Sequence, residues 1–164
     1  MNSNNALHIK HFFPLIAVFT LIITITIAHQ IFFGWSLNEA MIIFMAAFFI
    51  IFGSFKIMHL AAFAQAFSMY DIMAQKIPLY GYLYPFIELG LGSSYLFLRS
   101  YLLIINCLTF LLMFMGSISV ALELQKKRAV ECACLGTVFK IPMTYVTLLE
   151  NILMGGMALL MLFW

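Results

Sequence analysis

The feature that most constrains this chain is a series of long apolar runs, each close to the length that crosses a bilayer. A helix needs about 20 apolar residues to span the hydrocarbon. The sequence offers five candidate spans, near residues 12–33, 37–56, 83–98, 101–122 and 142–163. Because the runs are continuous rather than alternating, they exclude a transmembrane β-barrel and predict an all-α, polytopic helical bundle.

The composition indicates that lipid, not water, surrounds most of this protein. Of its 164 residues, 65% are hydrophobic and 9% are charged, and the mean hydropathy is +1.09. Soluble proteins have about 25% charged residues, so this chain has too few charges to cover a water-soluble globule. The net charge of +2 is also small and dispersed, which argues against a nucleic-acid partner. We expect one transmembrane domain over residues 1–164.

The second span changes character at Lys56, where an amphipathic segment follows it. We expect the same helix to continue along the membrane interface to about residue 74. The third and fourth spans are separated by only a short turn around Arg99 and Ser100, which predicts an antiparallel hairpin. Pro142 suits the first turn of the fifth span.

The distribution of basic residues predicts the orientation in the membrane. In a five-span topology one side receives Lys10, Lys76, Lys126, Lys127, Arg128 and Lys140, and the other receives Arg99. The positive-inside rule makes the first side cytoplasmic. We therefore predict a multi-pass protein of a bacterial inner membrane, with the N-terminus and the loop before the fifth span in the cytoplasm.

Two cysteines, Cys132 and Cys134, stand one residue apart in that loop. A disulfide between such close residues is strained and therefore labile, and neighbouring cations favour the thiolate. This pattern favours thiol–disulfide exchange. The same two thiolates can instead bind a thiophilic metal such as Cu(I), or they can be two small residues in an exposed turn without chemistry. Cys107, within the fourth span, is expected to be a packing residue.

Ionisable residues inside the spans form the second candidate site, because such residues are costly in hydrocarbon. Glu88 and Glu150 are both expected about 12 to 14 Å below the cytoplasmic face. Lys56 is within reach of Glu88 through its flexible stem, and His59 lies one helical turn beyond it. Two carboxyl groups near one cation are not both readily ionised, so Glu150 is a candidate proton acceptor. Alternatively, a buried ion pair between Lys56 and Glu88 only fixes helix register.

Several small or polar residues next to these groups are expected at helix contacts. Asn151 can form a hydrogen bond between helices. Glycines allow helices to approach closely in a bundle that has no hydrophobic drive for association. We expect close packing at Gly53, Gly90, Gly92, Gly155 and Gly156.

The order of four sequence segments resembles the MauE branch of the DoxX-like membrane proteins. These segments are FGSFKI, YPFIELGLG, CACLG and PMTYVTLLENILM. The resemblance implies a small helical bundle associated with redox and disulfide chemistry, and a family named for a role in maturing methylamine dehydrogenase. The family pattern falls on Gly53, Lys56, Pro85, Glu88, Cys132, Cys134, Gly136 and Asn151.

The chain departs from this family pattern in two ways. Leu135 stands where the family often has an aromatic residue. The chain also has an additional N-terminal span beyond the usual four-helix core.

Taken together, the residues and the resemblance predict a membrane thiol–disulfide redox protein. Cys132 and Cys134 would exchange electrons or disulfides with a thioredoxin- or glutaredoxin-like partner, supported by a polar cluster of Lys56, Glu88, Glu150, Asn151 and His59. The alternative is a membrane carrier or acceptor for Cu(I) or Hg(II), with Cys132, Cys134 and His59 as ligands. A structural or assembly subunit is the third hypothesis. The sequence contains no nucleotide, flavin or haem motif and leaves a quinone or Cu(I) as candidate cofactors.

Overall fold

The computed structural model describes residues 3–125 and 144–163, with side chains described over 15–125 and 147–163. Within these ranges the regular structure is helical, which confirms the predicted all-α class. The helices are α1 (Ser3–Phe33), α2 (Leu37–Met58), α3 (Leu60–Phe67), α4 (Ile72–Lys76), α5 (Pro78–Phe97), α6 (Leu102–Gln125) and α7 (Thr144–Phe163), with a 3-10 turn at Arg99–Tyr101.

Three helical segments in the described part of the chain are long and apolar enough to cross a membrane. They are Leu15–Phe33, Leu37–Met58 and Arg99–Gln125, and the apolar segment Thr147–Phe163 is shorter. Large apolar side chains on these helices face outward, for example Ile31, Leu103 and Leu160. This is the arrangement of a helical membrane bundle, in which lipid covers the outer face. The number of spans stays a prediction.

The first helix lies at the edge of the bundle. In its most apolar stretch 22% of the residues are buried, compared with 56% in that of α2. Its main contacts are with α2. The connection between the two helices turns at Gly34, whose φ of 98° lies in the left-handed region that favours glycine. The Gly34 amide donates to the Gln30 carbonyl at 3.0 Å, and the Ser36 amide donates to the Gln30 side chain at 2.7 Å. These bonds fix how α2 follows α1.

The most extensive helix contacts pair α2 with α5 and α6 with α7. The predicted hairpin of α5 and α6 is present as a chain connection, but α5 packs mainly on α2. A buried hydrogen-bond network still joins α5 to α6 near the turn. The Tyr95 hydroxyl lies 2.7 Å from Asn106 Oδ1 and 3.1 Å from Thr109 Oγ1. Because each of these polar groups is buried, their mutual bonding is what makes the burial tolerable.

We predicted five glycines at helix contacts, and two of them lie where two helices pack closely. A methyl group on Gly92 would lie 2.9 Å from Ile50, and one on Gly53 would lie 3.1 Å from Leu89. Both glycines are between α2 and α5. Gly155 has an ordinary contact with Met113, whereas Gly90 and Gly156 face open space, so the prediction was wrong for these last two.

The second span does not continue as one helix to residue 74. Helix α2 ends at Met58, His59 breaks the backbone, and the chain continues as the short helices α3 and α4. The side chain of Asp71 fixes this segment: it accepts the amides of Met73 and Ala74 at 3.0 and 2.9 Å. It also accepts the Ser119 hydroxyl at 3.1 Å. The segment is therefore attached to α6 by buried polar contacts.

Candidate functional site

Lys56 and Glu88 form a buried ion pair between α2 and α5. The Lys56 ammonium lies 2.5 Å from Oε1 and 2.6 Å from Oε2 of Glu88, and the two side chains are 9% and 3% exposed. The last turn of α2 presents Lys56 inward, and Gly53 one turn before it lets α5 approach. The contact between these residues that the sequence predicted is therefore present.

Aromatic rings enclose the ammonium end of this pair. The Lys56 nitrogen lies 5.5 Å from the ring centre of Phe63 and 5.1 Å from that of Tyr84. Ring faces attract cations, and the attraction strengthens when water is excluded. Phe63 comes from α3, so the break at His59 is what returns the chain over Lys56. The rings therefore provide favourable contacts for the buried ammonium group.

A small cavity adjoins the ion pair. Its volume is about 30 Å³, and it lies where α2, α3, α5, α6 and α7 meet. Its polar lining includes Lys56, Glu88, Thr147, Glu150 and Asn151, and aromatic and aliphatic side chains form the remaining wall. The structure thus brings four of the five predicted cluster residues to one cavity.

Asn151 packs closely against α6 at Gly116, which has no side chain. A Cβ atom on Gly116 would lie 2.8 Å from Asn151 Nδ2, so this amide occupies the space that glycine leaves. Glu150, its neighbour on α7, is buried at 6% exposure. The close approach of α6 and α7 at Gly116 therefore positions both polar residues of α7 at the cavity.

His59 is not part of this arrangement. It lies at the break between α2 and α3, it is exposed, and it is absent from the cavity lining. An unbroken helix through residue 59 would place His59 on the same helical face as Lys56, and the break at His59 removes that alignment. In the side chains described, no group of three or more His, Cys, Asp or Glu residues is arranged to hold a metal ion. Cys132 and Cys134 lie outside the described residues.

Sequence reasoning missed several buried polar residues, including Asn106 and Thr109 of the network described above. Asp71 and Ser119 join the α3–α4 segment to α6, and Glu123 is 2% exposed near the end of α6. A signal for Asp71 was available, because Asp followed by a short helical segment is typical of an N-cap. Glu123 shares a helical face with Gly116 and Val120 and lies two turns beyond Gly116, toward the cysteine segment.

Comparison with known proteins gives a match to a protein family. The family profile of Methylamine utilisation protein MauE matches residues 32–164. No curated protein and no solved structure matches. The matched range includes the ion pair, the cavity residues and the cysteine segment. Only the last two residues of α1 lie within it. Because the profile matches well over half of the chain, this membrane protein belongs to the MauE family.

Proposed function

We propose that this protein is a membrane-embedded thiol–disulfide redox protein that acts through Cys132 and Cys134 in methylamine utilisation. One observation supports this choice above the others. The two helices that border the cysteine segment, α6 and α7, are also two of the helices that line the polar cavity. The cysteine segment is thus joined in the chain to the helix that contributes Glu150 and Asn151 to the cavity lining.

The proposed exchange proceeds in two displacements. The Cys132 thiolate attacks one sulfur of a disulfide in a thioredoxin- or glutaredoxin-like partner, forming a mixed disulfide and releasing one partner thiolate. The Cys134 thiolate then attacks Cys132 Sγ, forming the Cys132–Cys134 disulfide and releasing the second partner thiolate. Two electrons pass to the partner. The reverse sequence oxidises the partner, and the two reduction potentials set the direction.

We place the cysteine segment on the cytoplasmic side of a bacterial inner membrane. The basic residues around it, Lys126, Lys127 and Arg128, support this orientation through the positive-inside rule. The same residues lower the cost of forming a thiolate. A reducing compartment keeps such a pair cycling instead of locked as a structural disulfide.

Trapping the mixed disulfide tests the exchange. In membranes, the Cys134→Ala variant should accumulate an adduct through Cys132 with a thioredoxin-like protein supplied in its disulfide form, because Cys134 is no longer present to displace the second partner thiolate. Cys132→Ala should do so if the two roles are reversed. Cys107→Ala is the matched control, because Cys107 is exposed near the start of α6, whereas the cysteine segment follows the end of that helix in the sequence; this variant should leave the adduct unchanged.

Two further measurements separate the alternatives. If neither single-cysteine variant forms an adduct while the wild-type protein binds Cu(I) tightly through Cys132 and Cys134, the protein is a metal carrier and the exchange proposal is wrong. Labelling the cysteines with a membrane-impermeant maleimide tests the orientation. Labelling from the periplasmic side alone would contradict the proposed topology.

A further inference from the structure

We propose that the part-exposed ion pair of Glu39 and Arg99 binds the zwitterionic headgroup of a phospholipid, with phosphoethanolamine as the preferred headgroup. The pair joins the first turn of α2 to the 3-10 turn before α6. The cysteine segment leaves the opposite end of the bundle, because it follows the end of α6 at Gln125. The inference is therefore independent of the proposed redox function.

Protruding aromatic rings mark the end of the bundle that holds this ion pair. Among the described residues, the five most exposed large apolar side chains are all aromatic, at 79 to 86% exposure: Phe32, Phe33, Trp35, Phe97 and Phe163. They belong to the α1–α2 connection and to the ends of α5 and α7, and α7 runs antiparallel to α6. So much exposed ring surface is costly in water, whereas hydrocarbon covers phenyl rings and the membrane interface favours Trp. We therefore place this end at a membrane interface.

Aromatic side chains also flank the ion pair in the sequence. Trp35 precedes Glu39 by four residues. Phe97 and Tyr101 stand two residues to either side of Arg99. The side chains of Arg99 and Glu39 are 43% and 34% exposed, so the pair is accessible to the medium around the rings. At the level of an interfacial aromatic belt, that medium is the headgroup layer.

Both members of the pair retain hydrogen-bonding capacity. Arg99 donates from Nη1 to Oε1 of Glu39, and among the described residues neither side chain has a further hydrogen bond. A guanidinium group has five N–H donors, and each carboxylate oxygen can accept. Donors on Nε and Nη2 of Arg99 and the Oε2 atom of Glu39 therefore remain for a ligand.

A phosphoethanolamine headgroup is complementary to both sets of atoms. Its phosphate oxygens accept hydrogen bonds from a guanidinium group, whose planar fork suits phosphate. Its ammonium group can donate to Oε2 of Glu39. A choline headgroup has the same phosphate and the same positive charge but no N–H group. The pair should therefore distinguish ethanolamine from choline lipids, which a basic residue alone would not do.

Tryptophan fluorescence tests whether lipid surrounds these rings. Trp164→Phe leaves Trp35 as the only tryptophan of the full-length chain. In phosphatidylcholine vesicles, lipid brominated near the headgroup should quench Trp35 more than lipid brominated near the end of the acyl chain. Quenching by neither lipid would show that water or protein covers this surface. Stronger quenching by the deep bromine would place Trp35 below the headgroups, and either result overturns the proposal.

Native mass spectrometry of the full-length protein tests headgroup recognition. With equal amounts of phosphatidylethanolamine and phosphatidylcholine of the same acyl chains, the wild-type protein should retain the ethanolamine lipid about 2- to 10-fold more, the effect of one net hydrogen bond. Glu39→Gln should remove most of this preference, and Arg99→Gln should reduce retention of both lipids. Lys76→Gln is the matched control, because Lys76 is an exposed charge at the end of α4, and it should leave the preference unchanged.

Three results of this second experiment overturn the proposal. Equal retention of the two lipids by the wild-type protein would exclude recognition of the ammonium group by Glu39. A preference that persists in Glu39→Gln, or that falls equally in Lys76→Gln, belongs to another site. Displacement of the bound lipid by glycerophosphoethanolamine, which has no acyl chains, would show a site for a soluble headgroup. Circular dichroism of each variant in the same detergent controls for folding.

Discussion

The ammonium group of Lys56 contacts both carboxylate oxygens of Glu88, at 2.5 and 2.6 Å, although the two residues are 32 positions apart in the sequence. This pair joins the end of α2 to the middle of α5 and forms one wall of the cavity that Glu150 also lines. A buried pair of this kind has a large desolvation cost, which only complete pairing offsets. Breaking the pair should therefore lower the free energy of unfolding more than replacing both residues does, and this difference can be measured.

Replacing one member of the pair should cost more than replacing both. Lys56→Met leaves the Glu88 carboxylate buried without its cation, which should destabilise the bundle by about 3 to 5 kcal/mol. Adding Glu88→Gln should recover most of that loss, because neither charge of the pair then remains buried without its partner. The free energy of unfolding in detergent, measured as a double-mutant cycle, checks this. Arg99→Gln, in the part-exposed pair with Glu39, should cost less than about 1 kcal/mol.

Two glycines of α5, two residues apart, should respond oppositely to alanine. A Cβ atom on Gly92 would lie 2.9 Å from Ile50, 3.0 Å from Phe49 and 3.1 Å from the Ala46 carbonyl. Gly92→Ala should therefore separate α2 from α5 and destabilise the protein by about 1 to 3 kcal/mol.

The matched variant is Gly90→Ala, at a position with open space around it. It should stabilise the helix by about 0.5 to 1 kcal/mol, because alanine loses less conformational entropy than glycine. Thermal unfolding of the two variants in the same detergent compares them. Equal effects would contradict the close packing of α2 against α5.

Gly116→Ala should displace Asn151 from its place beside the cavity. The added methyl group would lie 2.8 Å from Asn151 Nδ2. Because that atom ends a flexible side chain, the stability cost should be less than about 1.5 kcal/mol. The side-chain amide resonance of Asn151 should shift in the NMR spectrum. Gly156→Ala, at an open position on α7, should leave that resonance in place; similar shifts in both variants would argue against the contact.

Asp71→Ala should loosen the segment of α3 and α4 without unfolding the bundle. Asp71 accepts the amides of Met73 and Ala74 and the hydroxyl of Ser119, and losing these bonds should cost about 1 to 3 kcal/mol. Hydrogen exchange at the Met73 and Ala74 amides should accelerate, while α6 remains protected. Ser94→Ala is the control, since that hydroxyl bonds within its own helix. Unchanged exchange in Asp71→Ala would contradict the capping role.

The sequence predicted the helical membrane bundle because apolar composition and helix length are local properties. It also predicted that Lys56 and Glu88 would meet, and placed Glu150 at a similar depth, because depth follows from counting residues along a helix. By contrast, it extended α2 through His59, and so misplaced that residue, because a backbone break depends on what the following turn can pack against.

What only the tertiary structure decided is which of the predicted helices contact each other. Gly92 faces α2 whereas Gly90 faces open space, and hydropathy does not separate the two positions. The bond between Asp71 and Ser119 joins residues 48 positions apart. Gly116 leaves room for Asn151, which lines the cavity beside the ion pair. Such features depend on the packing of all helices at once, whereas the apolar, helical character of each segment follows from residue order alone.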